Sequence, residues 1–334
     1  MNRFATSLLG ALVLAAHAVL PAQAETLTVY SARNEQLIKP VFDRYTAETG
    51  VEIKFATGEA GVLIQRLAAE GKASPADLLM TVDAGELWHA AELGLLQPAV
   101  SKSLEQNVPA SLRDPGNRWF GLSQRARTIA FSTARVDPAK LSTYAALAEA
   151  PWKGRLCLRT AKKVYNQSLV AMMISEHGEA QTEQVVRGWV ANLATDVFAN
   201  DTQLLEAIAA GQCDVGIVNS YYYGRIVKER PDFPVKLFWA NQDSGGVHVN
   251  IAGAGITASS KQTAAATRFL EWLSGPDAQA LFAGLNMEVP VNPRASVDPI
   301  VAGWGTFEAS PINVAEAGRL QPVAVKLMDR AGYR

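Results

Sequence analysis

Apolar and polar positions along this chain fall into two alternating rhythms. Leu27-Thr28-Val29-Tyr30, Val51-Glu52-Ile53-Lys54-Phe55 and Ala76-Asp77-Leu78-Leu79-Met80-Thr81 have the short, β-rich pattern of strands. Between and after them the period lengthens. Residues 36–49 carry Leu37, Val41, Phe42 and Tyr45 on one helical face and stop at Gly50, residues 62–70 stop at Gly71, and a helix through Trp88 and Leu93 stops at Gly94. A second series follows: a strand at 154–158, helices at 167–177, 182–193 and 202–210, then the strand Val215-Gly216-Ile217-Val218. Two longer extended runs, 119–132 and 247–253, cross between the series, and a helix at 262–273 stops at Gly275-Pro276.

This β-α alternation predicts an α/β protein of two lobes, each a mostly parallel sheet with flanking helices. Residues 25–334 are also more than one core usually supports. Lobe one is expected to be 25–124 plus 250–300, and lobe two 125–249. The segment 301–334 is expected as a C-terminal helical piece packing across both. Two crossing strands make a hinge, with a cleft beside it.

The first 24 residues read differently. Met1-Asn2-Arg3, an apolar stretch over 8–16 and Ala22-Gln23-Ala24 form a secretory leader, with cleavage expected after Ala24. No later run reaches the ~18 apolar residues of a membrane span. The chain has 31 Lys+Arg against 32 Asp+Glu, and the leader removes only Arg3. That balance points to neither nucleic acid nor an anionic membrane. In an exported chain, Cys157 and Cys213 read as one disulfide, against the alternative of two buried thiols.

Candidate chemistry centres on Tyr221-Tyr222-Tyr223, directly after Asn219-Ser220. Consecutive phenols are poor core material because each buried hydroxyl needs a partner. Neighbouring side chains also diverge on regular strands and helices. Two adjacent tyrosines are therefore expected to converge where a strand gives way to a turn, at the carboxyl edge where ligands bind. Phenolate oxygens are hard donors suited to a ferric ion. Neither a GxSxG nor an HExxH motif is present, nor a phosphate-binding glycine loop, and no general base emerges, so the chain does not read as an enzyme.

Asn219-Ser220-Tyr221-Tyr222-Tyr223-Gly224-Arg225 resembles the iron-binding motif of the bacterial periplasmic ferric-iron-binding proteins, transferrin-like receptors of ABC importers. Val29-Tyr30-Ser31-Ala32-Arg33, Ser74-Pro75-Ala76-Asp77, Trp119-Phe120-Gly121-Leu122-Ser123, Val164-Tyr165-Asn166-Gln167-Ser168 and the run from His248 to Gly255 extend the resemblance over most of the chain. It implies a type II periplasmic-binding fold, a periplasmic monomer, and delivery of Fe³⁺ to a permease in the inner membrane. It also implies Tyr165, Tyr221 and Tyr222 as ligands, with Arg125, Arg225 and Asn34 beside the metal or holding a small anion such as carbonate.

The sequence departs from the family pattern in lobe one. Many members carry a histidine, sometimes followed by a tyrosine, where Asn34 and Glu35 stand, and some carry a glutamate where Val82 precedes Asp83. Either lobe two supplies every protein ligand and an anion completes the shell, or Glu35 substitutes as a ligand. As a helix-start acid, Glu35 also suits the helix dipole without any metal. His248 reads as a packed, hydrogen-bonded histidine rather than a ligand. The alternative function is a receptor of the same fold for an oxyanion or small organic solute, with the tyrosines stacking and hydrogen-bonding. Three successive tyrosines converge less easily than two, so Tyr223 is expected to pack against its lobe. A Tyr223→Phe variant soaked with ferric iron should keep its visible colour; loss of colour contradicts this assignment.

Overall fold

A computed structural model describes residues 25–334; residues 1–24, on which the leader expectation falls, lie outside the described residues. The strands are β1 (Thr26–Ser31), β2 (Glu52–Thr57), β3 (Leu78–Thr81), β4 (Leu96–Gln97), β5 (Phe120–Ser132), β6 (Leu156–Cys157), β7 (Val215–Asn219), β8 (Val235–Phe238), β9 (Val249–Thr257) and β10 (Val289–Pro290). The helices are α1 (Glu35–Thr49), α2 (Ala60–Glu70), α3 (Ala84–Glu92), α4 (Lys102–Asn107), α5 (Val164–His177), α6 (Glu179–Ala191), α7 (Asp201–Ala209), α8 (Ser220–Glu229), α9 (Thr263–Ser274), α10 (Pro276–Gly284), α11 (Pro299–Ala302) and α12 (Ala315–Arg330).

The sheet runs in the order β2-β1-β3-β9-β5-β7-β6. Parallel pairing holds β1 to β2 and β3, and β6 to β7. The two long strands enter antiparallel. β5 pairs with β9 from Phe120 to Ala126, then changes partners: Arg127 to Phe131 pair with β7, and Ile129 to Ser132 with β8. One strand therefore belongs to both half-sheets, and the change falls between Ala126 and Arg127. Arg125 and Arg127 stand on either side of it, both nearly devoid of solvent contact. The C-terminal helix α12 packs on α5 and on α3, so it touches elements of both halves.

Local rules account for the elements. Ile38, Val41, Phe42 and Tyr45 form the buried stripe of α1, and Gly50 ends it at φ 75°, its N–H bonded to the Thr46 carbonyl. Asp83 caps α3 by accepting from the Gly85 N–H at 2.8 Å. In β7, a Cβ on Gly216 would lie 2.5 Å from Leu204 and 2.9 Å from the Cys157 carbonyl. The absent side chain therefore lets α7 press onto the strand that leads to the tyrosines.

Two local expectations are corrected. The helix expected from 167 begins at Val164, so Tyr165 lies inside its first turn rather than ahead of it. The tyrosine triplet is not a strand-to-turn junction either. Asn219 is extended (φ −76°, ψ 132°) and α8 starts at once, with all three tyrosines in its opening turns. The reversal is made by a helix start, which lets adjacent side chains leave in directions a continuing strand would forbid.

Cys157 and Cys213 are joined by a disulfide across a separation of 56 residues. Chain-entropy arguments assign a loop of that size about 4 kcal/mol. The Cys157→Ser/Cys213→Ser double variant should lose stability of that order in denaturant unfolding. A loss below about 1 kcal/mol would show that the closed loop contributes little.

Candidate functional site

The first turns of α5 and α8 open into one cavity of about 220 Å³, lined by Tyr165, Tyr221, Tyr222, Arg125, Arg159 and Arg225 on the side of lobe two and the hinge. Tyr165 and Tyr221 each occupy the second position of their helix. The Tyr221 and Tyr222 rings stack with centroids 4.4 Å apart and planes 28° from parallel. Tyr221 is in side-chain hydrogen-bonding interaction with both Tyr165 and Tyr222. Phenol groups from two helices are thus brought together in one cavity. Among the described residues, no three His, Cys, Asp or Glu side chains gather into a metal-holding group.

Burial dominates the electrostatics of these phenols. It pushes Tyr221 well above the ordinary tyrosine pKa, neighbouring Tyr165 and Tyr222 push the same way, and the Arg125 charge opposes. Tyr165 is raised by burial and pulled back by Arg125. Both hydroxyls therefore hold their protons more tightly than an ordinary tyrosine. Cations surround them. Arg125 lies 5.3 Å from the Tyr165 ring centre, and Arg225 lies 5.1 Å from Tyr221 and 5.7 Å from Tyr222. Both helix N-termini also point positive backbone ends this way.

The two arginines are held from lobe one. Arg125 donates to the Val82 carbonyl and leaves its buried Nη1 without a partner. Arg225 donates to Asn286, which donates in turn to Glu288 at 3.0 Å, and Glu288 accepts from Arg33 at 2.8 Å. Arg33 and Ser123, at 2.6 Å, keep the buried Glu288 carboxylate charged by opposing its burial.

Lobe one brings no glutamate or histidine to the tyrosines through the positions singled out above. Val82 lines the cavity with an apolar side chain. Asp83 is turned into the interior, where Asn250 at 2.7 Å and Ser168 at 2.8 Å donate to it. Asn34 lines the cavity mouth, while Glu35 is exposed at the start of α1 and is not among the lining residues. Its place is that of the dipole-favoured acid. Tyr223 faces away from the cavity and packs 5.8 Å from Trp304. His248 is packed and hydrogen-bonded through its backbone, its N–H donating to the Tyr144 hydroxyl at 3.1 Å, but its buried ring Nδ1 has no partner, and burial followed by the Arg127 and Arg125 charges lowers its pKa to about 3.

Besides Asn286 and Glu288, sequence reasoning missed four charged lining residues. Arg159 and Lys163 sit in the basic run before α5, and both approach the Tyr165 ring, at 5.5 Å each. Glu59 and Glu86 lie on the lobe-one wall. Burial, reinforced by the Asp83 charge, pushes the Glu86 carboxyl up to about 8, and one of its oxygens is buried without a partner. The short basic cluster was a usable signal. Glu86 gave none, because an acid in a helix's first turn reads as solvated.

Comparison with known proteins places this architecture. Residues 27–284 match the family model for bacterial extracellular solute-binding proteins. Iron uptake protein A2 of Synechocystis is 41% identical, across 94% of this chain and 91% of that protein. The Trichodesmium protein IdiA (FutA), solved with iron and citrate ligands, superposes with TM-score 0.89 at 39% identity, covering 92% of this chain and all of the other. Ferric iron-binding protein A of Mannheimia haemolytica, in an open conformation, gives TM-score 0.86 at 36% identity over 93% of this chain and 99% of its own. With a shared two-lobed fold and these relatives over nearly its whole described length, the chain belongs to the bacterial extracellular solute-binding proteins, in the branch of the iron-uptake and ferric-iron-binding members.

Proposed function

We propose that this protein is a periplasmic receptor that captures ferric iron on Tyr165, Tyr221 and Tyr222 and delivers it to an ABC permease in the inner membrane. The observation that carries the reading is the meeting of those three phenol oxygens in a cavity ringed by guanidinium groups. In this reading the leader exports the chain, the mature receptor is a monomer, and lobe one (25–124 with 250–300) closes on lobe two (125–249), with 301–334 packed across them.

The chemistry follows from charge. A trivalent cation favours phenolate strongly enough to overcome the burial that favours the protonated form of Tyr165 and Tyr221. Three phenolates balance the ion, and the surplus cations Arg125 and Arg225 then suit a small anion such as carbonate, with Asn34 beside it at the mouth. Glu35 has no part in this version of the site. Lobe two binds first, and closure follows because the closed form adds contacts to the bound complex.

Spectrophotometric titration with a ferric chelate tests this. The wild type should develop a visible phenolate-to-iron band. Tyr165→Phe, Tyr221→Phe and Tyr222→Phe should each weaken binding by more than the ~100-fold that losing an outer partner can cost. The colour should fade on acidification, because protons compete for the same oxygens. A colourless wild type, with calorimetric heat from an oxyanion or organic acid instead, would transfer the site to another solute.

A further inference from the structure

Arg159 stands apart from the other cations of the cavity. Arg125 and Arg225 each direct Nη2 outside the tyrosine cluster, to the Val82 carbonyl and to Asn286. Arg159 instead directs Nη1 at the Tyr222 hydroxyl oxygen, 3.3 Å away. Its guanidinium also lies 5.5 Å from the Tyr165 ring centre and 5.7 Å from that of Tyr222. It therefore spans tyrosines from two different helices. Only 5% of the residue is exposed.

A buried guanidinium needs a counter-charge and a fixed seat, and this one has both. Its Nε donates to the Ala199 carbonyl at 3.1 Å. Behind it, Asp201 is wholly buried with Oδ1 3.6 Å from Arg159 Nη1, and that oxygen has no hydrogen-bond partner of its own. The other oxygen, Oδ2, accepts from Arg127 at 3.1 Å and from the Asn219 N–H at 2.9 Å. Asn219 is the residue from which α8 and its tyrosines start. The same carboxylate thus fixes the tyrosine helix and the arginine aimed at it. The Asp201–Arg159 separation is that of an ion pair without a direct hydrogen bond, so Nη1 remains free to serve the tyrosine oxygen.

Resting on the ferric reading above, we propose that Arg159 is a positioning residue for iron capture. It holds the Tyr222 oxygen in its binding orientation and tunes its donor strength by donating a charged hydrogen bond to it. A hydrogen bond from a cation stabilises electron density on a phenolate and lowers its donation to the metal. Removing it makes the phenolate a stronger donor, and the phenolate-to-iron transition moves to lower energy.

The test compares the full-length mature protein with Arg159→Lys and Arg159→Gln, each loaded from ferric citrate and checked for folding by circular dichroism. The absorption maximum should shift to longer wavelength in the order wild type, Arg159→Lys, Arg159→Gln. Lysine keeps the charge but offers no fork to hold both Ala199 and Tyr222. If the Gln variant does not fold, the displacement between wild type and Arg159→Lys carries the test. A purely structural role for Arg159 changes the loaded fraction and leaves the maximum in place, and an unmoved maximum in a folded, loaded variant overturns the proposal. A wild type that never colours is a different failure, because it removes the ferric reading itself.

Discussion

Three phenol groups line one cavity, and burial by itself favours the protonated form of Tyr165 and Tyr221. That tension organises the molecule. A phenol costs little to bury while neutral but much to bury as an anion unless positive charge is near. The protein supplies positive charge in three forms: two helix N-termini, the guanidinium groups of Arg125, Arg159 and Arg225, and the solute proposed to enter. The first two ease the ionisation of the tyrosines, and a highly charged cation completes it. A weakly charged solute gains far less from the same oxygens, so the burial that penalises phenolate also selects for high charge.

The placement of these groups depends on remote packing. β5 serves both half-sheets, and the two arginines that flank its change of partner carry charge into the hinge. Asp201, on the first residue of α7, binds Arg127 from the hinge strand and the Asn219 N–H at the root of α8. Gly216 lets α7 approach closely enough for this. Tyr165 on α5 is in turn coupled to lobe one through α12, which rests on both α5 and α3. The two halves are therefore joined beside the site by packed helices as well as by the crossing strands.

Much of this was legible in the sequence. The period change between strands and helices located most elements, because glycine stops at 50, 71 and 94 punctuate clean amphipathic patterns. The tyrosine triplet stood out because phenols are costly to bury in a row. Other features depend on distance in space. Glu288 pairs with Arg33, 255 positions earlier, and no local pattern predicts such a pair. Arg159 is one charge of a short basic run in the sequence, and what sets it apart is Asp201 behind it in space. The helix start at Ser220 was misread as a turn because the apolar pattern of β7 ends just where a helix with polar and aromatic residues begins. The open question about lobe one concerned Asn34, Glu35 and Val82, yet the acids that line that wall are Glu59, Glu86 and Glu288.

In the proposed site the three oxygens act on one ion. Anomalous scattering at the iron edge, from crystals grown with ferric citrate and bicarbonate, tests it most directly. A single iron peak bonded to the side-chain oxygens of Tyr165, Tyr221 and Tyr222, with an anion beside the arginines, is the expected result. Iron bound elsewhere, or a cavity filled by an organic solute while those hydroxyls remain unbonded to metal, would contradict it.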